Sequence, residues 1–167
     1  MEVTTEAIRQ LRDKTGAGIM NCKRALENAE GDQDKAEDIL REKGILTASK
    51  KAGRDTLQGL VEAYVHNGNR IGVLLELNCE TDFVAHTPEF RDLAHNLSMQ
   101  IAAMTPLYID KADINPEDPS NPEKVCLLQQ PYIKDPSQLV LDLVNDVVSR
   151  VGENIRVKRF TRFALGE

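Results

Sequence analysis

Cys79 and His86 are the two side chains of this 167-residue chain that could do covalent chemistry together. The thiolate would be a nucleophile and the imidazole its base, or both would be metal ligands. The surroundings support neither. No Cys-x-x-Cys or His-Glu-x-x-His spacing backs a metal, and no oxyanion signature stands beside the cysteine. A cysteine at the end of an apolar strand reads as a buried thiol, and His66 at a turn and His95 on a helix are equally plain. There is no Gly-x-x-x-x-Gly-Lys-Ser/Thr loop and no Gly-x-Gly-x-x-Gly, so the chain has no recognisable nucleotide cradle of its own. No cofactor or metal is expected, and the chain is not read as an enzyme.

What stands out chemically is Asn78-Cys79-Glu80-Thr81-Asp82-Phe83-Val84-Ala85, between a well-marked strand and a well-marked helix. It places a large apolar ring, Phe83, beside the carboxylates of Glu80 and Asp82. Such a ring in a short connection either folds back into its own core or waits for a pocket on another molecule. The residues alone leave both readings open.

Composition narrows the classes. At 41% hydrophobic and 29% charged the chain has the make-up of an ordinary globular protein. A formal net charge of -6 argues against nucleic acid as a direct partner. No apolar run approaches a membrane span and no signal peptide opens the sequence. The 3 cysteines, Cys22, Cys79 and Cys126, are scattered, which fits a reducing cytoplasm. Aromatic residues are only 4%, so an exposed phenylalanine is a notable use of a scarce residue.

The elements that must position these residues begin with three short helices. Thr4 caps the first, Val3 and Ile8 staple it, Glu6 lies in its first turn, Ile8 and Leu11 face inward, and Thr15-Gly16 ends it. The second has Ile19, Cys22, Leu26 and Ala29 on one face and stops at Gly31. Asp32 caps the third, with Ala36, Ile39 and Leu40 inward and Gly44 as terminator. Residues 1–45 thus form a compact bundle, and 46–56, with Lys50, Lys51 and Arg54, read as a linker with room for some helix. Residues 57–167 form the second region, which opens with alternating strands. Gly59, Val61, Ala63 and Val65 share one face, as do Ile71, Val73, Leu75 and Leu77, with Asn67-Gly68 as the hairpin signal. A two-residue turn would set Glu62 against Val73. An odd-length loop pairs Val65 with Ile71 and Ala63 with Val73, and is preferred because register follows the buried face.

Thr87-Pro88 starts a helix whose stripe is Phe90, Leu93, Ala94, Leu97, Ile101 and Met104. Residues 105–136 hold six of the seven prolines and read as irregular, with a short helix after Asn121-Pro122. Asp135-Pro136 is expected to begin a helix carrying Val140, Leu143, Val144, Val147 and Val151, closed by Gly152. Residues 155–163 alternate again, with Arg156, Lys158, Arg159 and Arg162. The sum is α+β: three helices, then a three-stranded antiparallel sheet packed with helices. Its outer face is expected to carry Leu60, Tyr64, Leu74 and Phe160, enough apolar surface to suggest a second subunit. The basic final strand could attract RNA, but pairing with acidic neighbours is the favoured reading.

Two stretches carry a resemblance. Leu11 to Leu26 (Leu-Arg-Asp-Lys-Thr-Gly-Ala-Gly-Ile-Met-Asn-Cys-Lys-Arg-Ala-Leu) resembles the amino-terminal signature of the elongation factor Ts family. Asn78 to Ala85 resembles its second signature, centred on Thr-Asp-Phe-Val. Gln130-Pro131-Tyr132-Ile133-Lys134-Asp135 and the ending Gly152-Glu153-Asn154-Ile155 with Arg159-Phe160 also fit. The resemblance implies a cytoplasmic guanine-nucleotide exchange factor for elongation factor Tu, met in its GDP-bound and nucleotide-free forms. It implies a ubiquitin-associated-like bundle that touches the GTPase through Arg12, Ile19 and Met20. Thr81, Asp82, Phe83 and Val84 would then form a loop that wedges near the magnesium and phosphate site. Asn21 stands where the family commonly has Asp, and Gln58 where it commonly has Glu. A second core repeat, a coiled-coil protrusion and a terminal helical module do not fit into this length. That matches the short bacterial form, in which two chains associate as a homodimer.

Overall fold

The computed structural model describes residues 3–167. Three helices come first: α1 (Thr5–Thr15), α2 (Ile19–Asn28) and α3 (Gln33–Lys51). Thr4 caps α1 through a 3.2 Å bond from Ala7 N–H, and Asp32 caps α3 by accepting from the N–H groups of Asp34 and Lys35. Leu11, Cys22, Ala25, Leu26, Ala29 and Ala36 make a small core, sealed by Val3, Ile8, Ile39 and Leu40. Ile19, expected on the inward face, is 54% exposed: it lies one turn ahead of Cys22, at the open end of the stripe.

Gly44 does not terminate α3, and the expected linker is helical through Lys51. Gly44 is buried, and a Cβ there would meet the main-chain oxygen of Asn145 at 3.9 Å. That is an ordinary van der Waals distance, so Gly44 is a helical contact point against the turn of helix at Asn145, and the helix goes on because Ala48 packs against the main core.

That core is built on β1 (Gln58–Val65), β2 (Ile71–Cys79) and β5 (Ile155–Ala164), antiparallel in the order β1-β2-β5. Against one face lie α5 (Pro88–Met104) and α7 (Val140–Val151). Val73, Leu75 and Leu77 meet Phe90, Leu93, Leu97 and Ile101 from α5 and Val140, Val144 and Val147 from α7. Met104, the expected end of the α5 stripe, is exposed.

The hairpin register differs from the expected one. Val65 lies opposite Gly72, Ala63 opposite Leu74 and Tyr64 opposite Val73, one residue from the expected pairing. His66 N–H donates to Ile71 O, leaving a four-residue turn with Gly68 and Asn69 at positive φ. A one-residue slip moves every side chain to the other face. Leu60, Glu62 and Tyr64 therefore face inward, while Val61 and Val65 are exposed. Glu62 is tolerated there because His95 Nδ1 lies 3.1 Å from its carboxylate. Gly59 has φ +149 and a Cβ there would sit 2.1 Å from Leu77 O, so only glycine fits.

Phe160 also lies on the opposite face from the expected one. Glu76 pairs with Arg159 but Leu77 pairs with Val157, so Lys158 is an extra residue in a β-bulge. The bulge resets the alternation and brings Ile155, Val157 and Phe160 together against the core. The outer sheet face is apolar as expected, but its members are Val61, Val65, Leu74 and Phe163. Basic groups of the strand pair as expected: Arg159 with Glu76 at 2.7 Å and Arg162 with Glu167 at 2.9 Å.

Asp135-Pro136 starts no helix. The Asp135 carboxylate accepts from Ser137 and Gln138 and organises strand β4 (Asp135–Leu139), paired with the two-residue β3 (Pro131–Tyr132). Between α5 and β3 the chain is mostly irregular, with the short helix α6 (Pro122–Val125) after Asn121 and single 3-10 turns at Lys111–Asp113 and Leu127–Gln129.

Candidate functional site

The stretch after β2 forms a one-turn helix, α4 (Asp82–Ala85). Thr81 caps it, its hydroxyl oxygen accepting Val84 N–H at 3.4 Å. Its far end runs into the cap of α5, where the Thr87 hydroxyl donates to Val84 O at 2.7 Å. Four residues in one turn point to different sides, and polarity alone does not sort them, because the largest apolar side chain is among those left outside. Val84 and Ala85 are buried in the main core. Asp82 and Phe83 point away, and the Phe83 ring is 82% exposed. Burial of Val84 means that it anchors the loop from below rather than offering a contact surface.

The main chain ahead of α4 is fastened to the turn between α7 and β5. Glu153 accepts the Thr81 N–H at 3.0 Å and the Thr81 hydroxyl at 2.6 Å. Glu80 accepts the Asn154 N–H at 2.7 Å, and Arg54 stands 3.5 Å from the same carboxylate. Asn154 in turn donates to the main-chain oxygen of Arg54 at 2.9 Å. The sequence carried no periodic signal for these contacts. Thr81 and Glu153 are 72 positions apart, and only the shared position beside the start of β5 joins them.

Cys79 and His86 do not form a working pair. Cys79 is buried, and its thiol donates to Thr81 O at 3.1 Å. Burial, with the Glu153 carboxylate as a second cause, pushes its pKa up to about 11. His86 is exposed, and its Nδ1 is held by Asp82 O at 2.7 Å. Among the described residues no cluster of three or more His, Cys, Asp or Glu side chains is placed to hold a metal. A thiol of this pKa is almost entirely protonated at pH 8, and the thiolate is the reactive form. Native protein is therefore expected to leave Cys79 unmodified by iodoacetamide at pH 8, with alkylation appearing only on denaturation. Rapid native labelling at Cys79, read by peptide mass, would contradict this.

In the bundle, Arg12, Ile19 and Met20 are all on the surface, with Ile19 54% and Met20 60% exposed. They flank the αL turn at Gly16, over which the Arg150 guanidinium of α7 lies. Asn21 accepts from Lys43 Nζ at 2.6 Å, a contact an aspartate would also make. Gln58 is exposed at the start of β1.

The model of the family described as Elongation factor TS matches residues 27–122. Elongation factor Ts of Thermotoga petrophila is 49% identical over an alignment 195 positions long, covering 100% of this chain and 98% of that protein. The Thermotoga maritima protein is 48% identical at the same coverage, and that of Carboxydothermus hydrogenoformans 46% over 99% of this chain and 90% of its own. This chain belongs to the elongation factor Ts family, the cytoplasmic nucleotide exchange factors of elongation factor Tu in translation elongation, which are not enzymes.

Proposed function

We propose that exchange is driven by Phe83, presented on α4 as an anchor for a pocket near the magnesium and phosphate site of elongation factor Tu. The observation that carries the reading is the 82% exposure of this ring in a chain with few aromatic residues, on a turn whose Val84 and Ala85 are buried and whose cap, Thr81, is fastened to Glu153. Asp82 stands beside it with its carboxylate in solvent, able to compete for polar groups around the nucleotide's metal. Thr81 and Val84 hold the loop in place. Arg12, Ile19 and Met20 form a second, smaller contact on the bundle.

The chemistry is negative coupling between two ligands of the GTPase. A factor that binds the nucleotide-free form more tightly than the GDP form weakens GDP by the same ratio. Each 1.4 kcal/mol or so of coupling is a tenfold change in affinity. Stopped-flow release of a fluorescent GDP from elongation factor Tu tests the assignment. Wild type accelerates release, and Phe83→Ala falls far behind it at equal concentration. Superimposable traces for the two would remove Phe83 from the role.

We further propose that the chain is a homodimer through the outer face of its sheet. Val61, Val65, Leu74 and Phe163 are all exposed there, with the Glu76–Arg159 pair among them. A two-fold pairing covers such a face with its own copy. Light scattering at micromolar concentration is expected to give twice 18.6 kDa for wild type. Leu74→Asp, which leaves the inner face untouched, is expected to give the single mass with an unchanged circular dichroism spectrum. A wild-type mass near 18.6 kDa rules the dimer out.

A further inference from the structure

We propose that Glu153 and Glu80 are positioning residues, a reciprocal pair of carboxylates that sets the direction in which Phe83 leaves the fold. The proposal rests on the reading of Phe83 as the partner anchor. Each acid holds the segment that carries the other. Glu153, in the turn before β5, takes both the N–H and the hydroxyl of Thr81. Glu80, in the loop before α4, takes the N–H of Asn154. These are hydrogen bonds to ionised acceptors, the stronger kind, and two of the three grip main chain rather than side chain.

Main-chain grip matters because α4 has only four residues. A single helical turn cannot sustain its own geometry, since nucleation is unfavourable without outside support. Val84 and Ala85 support it from the core side. Nothing in that apolar contact fixes rotation of the turn about its own axis. The directional bonds at Thr81, its cap, supply this. Asn154 is itself braced on the main chain of Arg54, so the turn that holds the loop is not free to follow it.

The test uses the full chain with Glu153→Ala, Glu153→Gln and Phe83→Ala, and the double variant of Glu153→Ala with Phe83→Ala. Two readouts are taken: GDP release from elongation factor Tu, and amide hydrogen exchange over residues 81–85. Glu153→Ala is expected to lose about tenfold in exchange efficiency, no more than the loss from truncating the ring it positions. Protection over residues 81–85 should fall with it. Glu153→Gln is expected to recover most of both. Its carbonyl can accept the Thr81 N–H and its amide can donate to the Thr81 hydroxyl. In the double variant the Glu153 change should add almost no further loss, because a group acting through the ring has nothing to act on once the ring is gone. Unchanged protection in Glu153→Ala, or losses that multiply in the double variant, overturns the proposal. If Phe83→Ala proves as active as wild type, the anchor reading falls instead. Protection alone then decides whether Glu153 orders the loop.

Discussion

Phe83→Ala is expected to lower exchange efficiency on elongation factor Tu tenfold or more while the melting temperature stays within about a degree of wild type. The two halves of that expectation come from one structural feature. A ring that is 82% exposed touches little of its own protein, so removing it opens no cavity. Seated in a partner pocket, the same ring contributes roughly 1.5–3 kcal/mol, and a central interface anchor costs about 2 or more on truncation. At about 1.4 kcal/mol per factor of ten, that is a loss of tenfold to a hundredfold. Had the ring folded into the core, its truncation would cost about 3–5 kcal/mol in stability. For a chain of this length each kcal/mol lowers the melting temperature by about 2–4 °C. A drop approaching 10 °C in Phe83→Ala would therefore sink the anchor reading whatever the exchange assay gave. Asp82→Ala is expected to lose less than Phe83→Ala, because its carboxylate is solvated and exposed pairs contribute little.

The sequence was informative where a structural signal is local. The caps at Thr4, Asp32 and Thr87 each bond to an N–H two or three residues on, so residue type and spacing suffice to place them. The αL stop at Gly152 is of the same kind. It was misleading where a residue's role is set by a distant neighbour. Gly44 has the look of a terminator, and only Asn145, a hundred positions away, makes it a contact point. The alternation of β1 favours Val61, Ala63 and Val65 as the inner face. Glu62 goes inward because His95 is there to meet it. When both faces of a strand are apolar, alternation cannot choose between them. Phe160 faces inward because the bulge at Lys158 adds one residue that alternation does not count. In the candidate site the exposed pair of Asp82 and Phe83 could be singled out by residue type. The carboxylates that hold the loop could not, because a lone glutamate in a turn is indistinguishable from a solvated one.

The stretch from Thr105 to Leu139, irregular apart from short helical turns and the β3–β4 pair, depends on a different kind of contact, and Gln100→Leu is expected to expose it. Gln100 and Gln130 are both fully buried. Gln100 Nε2 donates to Gln130 Oε1 at 3.2 Å and to Pro131 O at 3.1 Å, while its Oε1 accepts Ile133 N–H at 2.9 Å. Gln130 Nε2 passes the connection on to Lys124 O at 2.8 Å. A proline-rich stretch has little internal ladder to stabilise it, so these two amides stand in for one. Leucine matches the volume but strands Gln130 Oε1 and the Ile133 N–H. Each buried group left without a partner costs about 1–3 kcal/mol, so a loss of about 3 kcal/mol is expected. That corresponds to a fall of roughly 6–12 °C in melting temperature. Because Phe83 and its supports lie on other segments, the folded fraction at 25 °C should exchange GDP at the wild-type rate. The signature is the reverse of Phe83→Ala, with stability lost and activity per folded molecule kept. Urea melts and exchange assays on the same preparation read both. A Gln100→Leu chain within 1 kcal/mol or so of wild type would show that the amide network does not hold this stretch, since removing a contributing buried bond is felt at that level or above.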